Sequence, residues 1–120
     1  MKKKILIVDD DNRNIFALTA TLKAKSFECV SRTGAKEALE LLNGDENIDI
    51  VLMDMMMPDM DGYEAIPLIK AIPHRENLPV VAVTAQAMVG DREKCLRAGA
   101  DGYISKPIDV DKLLQLLSSL

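Results

Sequence analysis

The chain has 120 residues, which suits one domain with a real core and leaves little room for a second. With 48% hydrophobic and 28% charged residues it has the composition of a soluble globular protein, and no apolar run nears the ~20 residues that span a bilayer. A formal net charge of −4 argues against nucleic acid as this domain's own partner.

Taken in order, Met1-Lys2-Lys3-Lys4 runs straight into an apolar stretch that meets Asp9 early, with no small-residue cleavage site. That is a poor signal peptide, and the expected location is the cytoplasm with no membrane contact by this domain. Ile5 to Val8 reads as a buried strand opening on Asp9-Asp10-Asp11. Asn12 is placed to cap a first helix whose inner stripe includes Ala17, Leu18, Thr21 and Leu22. Phe16 falls off that stripe, either packing on the last helix or marking a docking surface. Phe27 to Val30 is a short second strand, and Thr33-Gly34 opens a helix that runs through Leu42 and stops at Asn43-Gly44.

Ile48 to Met53 forms a third strand, and Asp54 stands where it opens into a loop punctuated by Pro58 and Gly62. Pro58 holds Met57 extended, and Gly62 suits a sharp turn or a close backbone approach. Tyr63 to Ile72 has helical spacing although Pro67 lies inside it, so that helix is either kinked or starts late. Pro79 to Val83 is a fourth strand ending at Thr84. Met88 to Ala98 is a helix closed by Gly99, Gly102 to Ser105 a fifth strand running into Lys106-Pro107, and Val110 to Leu117 a last helix capped by Asp109. His74, in a polar loop, is read as solvated. Cys29 and Cys95 lack metal-type spacing and are read as reduced packing residues.

Alternating strands and helices imply an α/β fold with a parallel sheet covered on both faces. Five units fit a flavodoxin-like, doubly wound sheet of order 2-1-3-4-5 with five helices, one domain over residues 1–120. Its carboxyl edge then collects Asp9, Asp10, Asp54, Thr84 and Lys106. Crowded carboxylates repel, and a hard divalent cation such as Mg²⁺ relieves that. Asp10 and Asp54 would ligate directly, Asp9 directly or through water, with the Met56 carbonyl completing the protein's share. A carboxylate is also a covalent acceptor of phosphoryl groups, so Asp54 is the candidate nucleophile. Lys106 would supply a fixed positive charge and Thr84 a hydroxyl donor. Each feature alone has a plainer reading: a helix cap, a turn residue, a strand-end hydroxyl, a surface lysine. The Met55-Met56-Met57 run is packing rather than a soft-metal site.

The acidic pair after strand one, Asp54 in Leu52-Met53-Asp54-Met55-Met56-Met57-Pro58-Asp59-Met60-Asp61-Gly62, Thr84-Ala85, and Tyr103 before Lys106-Pro107 make the chain resemble the receiver domain of bacterial two-component response regulators. The likeness spans essentially the whole sequence. It implies phosphorylation of Asp54 by a phosphohistidine on a histidine kinase or histidine phosphotransfer protein, with Mg²⁺ required. It also implies a conformational equilibrium read by Thr84 and Tyr103, and a cis Lys106-Pro107 peptide. Segments from Arg13 to Leu18 and from Thr84 to Cys95 look most like receivers fused to hybrid histidine kinases. The partner is expected to dock near Ile15 and Pro107-Ile108.

Three rivals come from other classes. A haloacid-dehalogenase-like Mg-dependent phosphohydrolase would use Asp9-Asp10-Asp11 as its Asp-x-Asp nucleophile motif, but Asn12-Arg13 does not continue that pattern. A flavin binder would need a phosphate loop where this chain places acids. A pseudo-receiver that only docks partners would not need all five marks.

Overall fold

The computed structural model describes residues 2–85 and 89–120. Its elements are β1 (Lys4–Val8), α1 (Asn12–Ala24), β2 (Glu28–Arg32), α2 (Ala35–Asn43), β3 (Ile50–Asp54), α3 (Gly62–Lys70), β4 (Val80–Thr84), α4 (Asp91–Arg97), β5 (Gly102–Ser105) and α5 (Val110–Ser118). The strands pair in parallel throughout, in the order β2-β1-β3-β4-β5, which is the flavodoxin-like doubly wound sheet. Among the described residues no helix is long and apolar enough to cross a membrane.

β1, β3 and β4 are nearly continuous apolar runs because parallel central strands are covered on both faces. Alternate residues feed two layers. Leu6, Val8, Val51, Met53 and Ala82 pack on one side, with Ala38, Ile66 and Ile69 from α2 and α3. Ile5, Ile7, Leu52, Val81 and Val83 pack on the other, with Ile15 and Leu22 from α1 and Leu113 and Leu117 from α5.

The element ends depart from the sequence reading in instructive ways. Asp11, not Asn12, caps α1, its carboxylate accepting the Arg13 amide at 2.9 Å. Ile15 and Leu22 are the buried residues of α1, whereas Ala17 is exposed and lies off the stripe. β2 starts one residue later and ends two residues later than Phe27 to Val30, because its ladder with β1 runs from Glu28 to Arg32. β3 includes Asp54, which pairs with Val83 of β4.

α3 starts at Gly62, earlier rather than later than its apolar spacing suggests, with Asp61 accepting the Glu64 amide as its cap. It runs through Pro67, which faces solvent. Proline inside a helix costs ~3 kcal/mol, but fully burying each of Ile66 and Ile69 contributes about 1.5–3 kcal/mol, which offsets it. α4 begins at Asp91 after Gly90 in the left-handed region; the expected start at Met88 lies outside the described residues. Both cysteines are free thiols, Cys29 partly buried and Cys95 buried with its sulfur 3.8 Å from the Tyr63 hydroxyl. Burial pushes both thiols up, so neither is primed for reaction.

Candidate functional site

The carboxyl edge of the sheet gathers residues that the sequence holds far apart. Asp9 follows β1 directly, Asp54 ends β3, Thr84 ends β4, and Lys106 follows β5. Asp9, Asp54 and Thr84 are buried, at 3%, 4% and 1% exposure, while Asp10 is open to solvent. One carboxylate oxygen from each of Asp9, Asp10 and Asp54 lies within 4.8 Å of the others. The Lys106 ammonium sits 3.4 Å from an oxygen of Asp9 and 3.4 Å from an oxygen of Asp54. At that spacing it acts as a charge shared between two acids rather than as a tight hydrogen-bond donor.

Local backbone geometry aims these groups. Asp9 accepts the amide of Asp11 at 2.9 Å, and Asp54 accepts the amide of Met56 at 3.1 Å. Both are side-chain-to-backbone bonds two residues on, a turn that aspartate makes readily. The same bond from Asp11 to the Arg13 amide commits the Asp11 carboxylate to capping α1. The third acid of the run is therefore engaged as a helix cap. This weakens the phosphohydrolase reading, which needs it in the site. The Lys106 amide donates to the Thr84 carbonyl at 2.7 Å, continuing the β4–β5 ladder to the lysine. The Lys106-Pro107 peptide is cis.

The electrostatics follow from the burial. Desolvation, then the neighbouring Asp9 charge, hold Asp54 above the usual carboxylate range, against the Met56 amide and Lys106, which pull it down. Burial alone would lower Lys106, but the charges of Asp54 and Asp9 outweigh it and keep the ammonium above its ordinary value. One lysine facing three acids leaves excess negative charge. A hard cation bound by oxygen suits that donor set: three carboxylates with their oxygens already converged, and a mouth open through Asp10. Met56 is half exposed (51%) beside this cluster, tied to it by its amide.

The remaining sequence-marked residues divide. Tyr103 pairs with Ala82 across the β4–β5 ladder, and Thr84 lies two residues beyond Ala82. Strand alternation therefore puts Tyr103 and Thr84 on the same sheet face as diagonal neighbours. Tyr103 is partly buried against the layer containing Cys95. Ile15, expected at the rim, is instead part of the core beneath α1, because it shares the inward stripe with Leu22. Phe16, next to it, is 78% exposed. A groove of about 520 Å³ opens beside the acids, lined by Leu18, Pro107, Ile108 and Val110 among others. His74 is exposed, with a ring nitrogen 3.1 Å from the Gly44 carbonyl. Sequence reasoning missed the amides of Asp11 and Met56 as orienting groups. The signal was there in principle, since an aspartate at the end of a strand commonly bonds the amide two residues on.

Known proteins share this fold. Residues 5–118 match the response regulator receiver domain. The polar-differentiation response regulator DivK of Brucella ovis is 34% identical over 119 residues, covering 99% of this chain and 96% of its own. The signal transduction histidine-protein kinase BarA of Escherichia coli K12 is 39% identical over 113 residues, 94% of this chain but 12% of that kinase. The receiver domain of sensor histidine kinase PA1611 from Pseudomonas aeruginosa, solved with a magnesium ion coordinated in its active site cleft, superposes with a TM-score of 0.89 at 31% identity, covering 99% and 97% of the two chains. A response regulator structure from Chloroflexus aurantiacus reaches 0.93 at 26% identity over 99% and 97%. Fold, strand order and sequence thus converge, and the chain belongs to the response regulator receiver domain family, a signalling domain of two-component systems.

Proposed function

We propose that Asp54 accepts a phosphoryl group from a phosphohistidine on a histidine kinase or histidine phosphotransfer protein. The observation that carries this reading is the convergence of three carboxylates around a lysine that contacts two of them at 3.4 Å. An oxygen of Asp54 attacks phosphorus, the P–N bond to the donor imidazole breaks, and an acyl phosphate forms on Asp54. Lys106 neutralises one phosphoryl oxygen and the Thr84 hydroxyl donates to another. Asp9, Asp10, Asp54 and the Met56 carbonyl would hold Mg²⁺, which supplies charge neutralisation for the incoming phosphoryl group when bound. In the phosphorylated state Thr84 turns toward the phosphoryl group and Tyr103 turns inward, a shift between two pre-existing states rather than catalytic turnover. Such a domain works in the cytoplasm, where kinases hold their nucleotide.

The direct test is intact mass after incubation with acetyl phosphate, with Mg²⁺ or with chelator. One added phosphoryl group that needs the cation supports the reading, and an unchanged mass in both conditions overturns it. The ligand assignment has its own check. Asp10→Ala removes the exposed member of the cluster, so calorimetric titration should show Mg²⁺ affinity falling by about tenfold or more. Wild-type affinity in that variant would take Asp10 out of the ligand set.

Docking is read from the surface beside the acids. Ile108 lines that groove and Phe16 is an exposed apolar side chain of α1, while Ile15 is core, so Phe16→Asp and Ile108→Asp are the informative variants. Transfer from a partner kinase should slow by about tenfold or more, as for loss of a buried apolar anchor. Labelling by acetyl phosphate, which needs no docking, should be unchanged. Equal slowing with both donors would mean that the substitutions damage the fold instead.

A further inference from the structure

The first turn of α3 lies directly against the backbone that carries Asp54. The Gly62 amide donates to the Met55 carbonyl at 3.2 Å, and Gly62 is buried there. A Cβ on Gly62 would stand 2.9 Å from the Met55 Cα and 3.2 Å from the Asp54 carbonyl oxygen, and would collide with the Met55 sulfur. The sulfur could swing away, but the two backbone atoms can move only with the chain. Gly62 does not adopt a positive φ, so freedom from Cβ, not backbone freedom, is what the site requires.

Met55 has nowhere to retreat. On its far side its amide donates to the Val83 carbonyl at 2.9 Å, as part of the β3–β4 ladder. Its side chain is fully buried in the layer shared with Ala65, Ile66 and Ile69 of the same helix. The segment Asp54-Met55 is therefore clamped between β4 and α3, with Gly62 as one jaw. The adjoining Met56 amide bonds the Asp54 carboxylate, so a shift of Met55 moves the acid together with the group that orients it. We infer that Gly62 is a positioning residue for Asp54, fixing through the Met55 backbone where the carboxylate stands. This rests on the phosphoacceptor reading only for its consequence in rate, not for the geometry.

The test compares Gly62→Ala with Gly102→Ala. Gly102 is also crowded, but by the flexible Leu116 side chain (Cδ1 at 2.9 Å) and at the opposite end of β5 from Lys106. Labelling by acetyl phosphate at saturating Mg²⁺ should slow by on the order of tenfold or more in Gly62→Ala, as for a reacting group displaced by a fraction of an ångström. Gly102→Ala should label at the wild-type rate even if it melts lower. In parallel, two-dimensional amide NMR of Gly62→Ala should show its largest shifts at Asp54, Met55, Met56 and Val83. Equal labelling of the two variants, or shifts confined to α3, would overturn the inference. If the wild type takes no phosphoryl group, the phosphoacceptor reading fails, and the amide shifts still decide the positioning claim. If Gly62→Ala does not fold, wild-type hydrogen exchange decides it. The Gly62 and Met55 amides should open as one unit, and independent fast exchange at Gly62 would contradict the clamp.

Discussion

Asp54→Asn is expected to abolish phosphoryl acceptance while raising, not lowering, the melting temperature of the metal-free protein. The substitution keeps the shape and the acceptor for the Met56 amide but removes a buried charge that faces Asp9 and Asp10 with one lysine between them. Desolvation and Asp9 hold the Asp54 carboxyl above its ordinary range, so folding with it ionised costs free energy. The gain from its removal is on the order of 1 kcal/mol. The sign of the pH dependence follows. Above the raised folded pKa the wild type bears the whole penalty. As pH falls toward the ordinary carboxylate range the group protonates in the folded state, and the two proteins converge. Thermal melts with chelator at neutral and mildly acidic pH measure this. A lower melting temperature for Asp54→Asn at neutral pH would mean that the acid is a net stabiliser. Added Mg²⁺ should reverse the order, because it stabilises the wild type by mass action.

Arg75→Ala is expected to destabilise the fold strongly, by about 3 kcal/mol. The guanidinium is buried and donates to the carbonyls of Leu42 at 2.9 Å, Gly44 at 3.2 Å and Glu46 at 2.6 Å. Leu42 is in the last turn of α2, where carbonyls lack helical partners. One planar side chain thus ties the end of α2 and the loop into β3 to the segment after α3. Alanine would leave those acceptors without their charged donor and open a void. Lysine should recover little, since a single ammonium cannot span three carbonyls as the fork does. Urea unfolding with an unchanged m-value would register the loss as a lower midpoint. Labelling of Asp54 should persist in the folded variant, because this clamp lies at the amino edge of the sheet, away from the acids. A loss under about 1 kcal/mol would show that water replaces the guanidinium adequately.

Arg75 also marks where sequence reasoning stops. Its neighbours Pro73, His74, Glu76 and Asn77 make a polar loop, and nothing local says that this one charge turns inward to meet carbonyls about thirty residues away. The strands were legible because a run such as Ile5 to Val8 or Val80 to Val83 has one plain way to be buried. Their order was legible because short connections between parallel strands leave few topologies. From that order the gathering of Asp9, Asp10, Asp54, Thr84 and Lys106 at one edge followed without any coordinate. The rest depended on contacts that spacing does not encode. Asp11 and Asn12 are both good caps, and only the backbone geometry selects Asp11. Ile15 and Phe16 differ by one position on α1, yet one is core and the other solvent-facing; spacing places Leu18 and Leu22 inward and Phe16 outward, but does not separate Ala17, which is exposed, from Ile15, which is core. α3 was placed from its apolar spacing, whereas its actual start is fixed by the Asp61 cap and the approach of Gly62 to Met55.

One measurement goes straight to the bond on which the reading depends. After labelling with acetyl phosphate and Mg²⁺, borohydride reduction converts an acyl-phosphorylated aspartate to homoserine, which peptide mass mapping locates by position. Homoserine at residue 54 and nowhere else is the expected result. Homoserine at Asp9, Asp10 or Asp59, or an unmodified Asp54 in protein that carries a phosphoryl group, would contradict it.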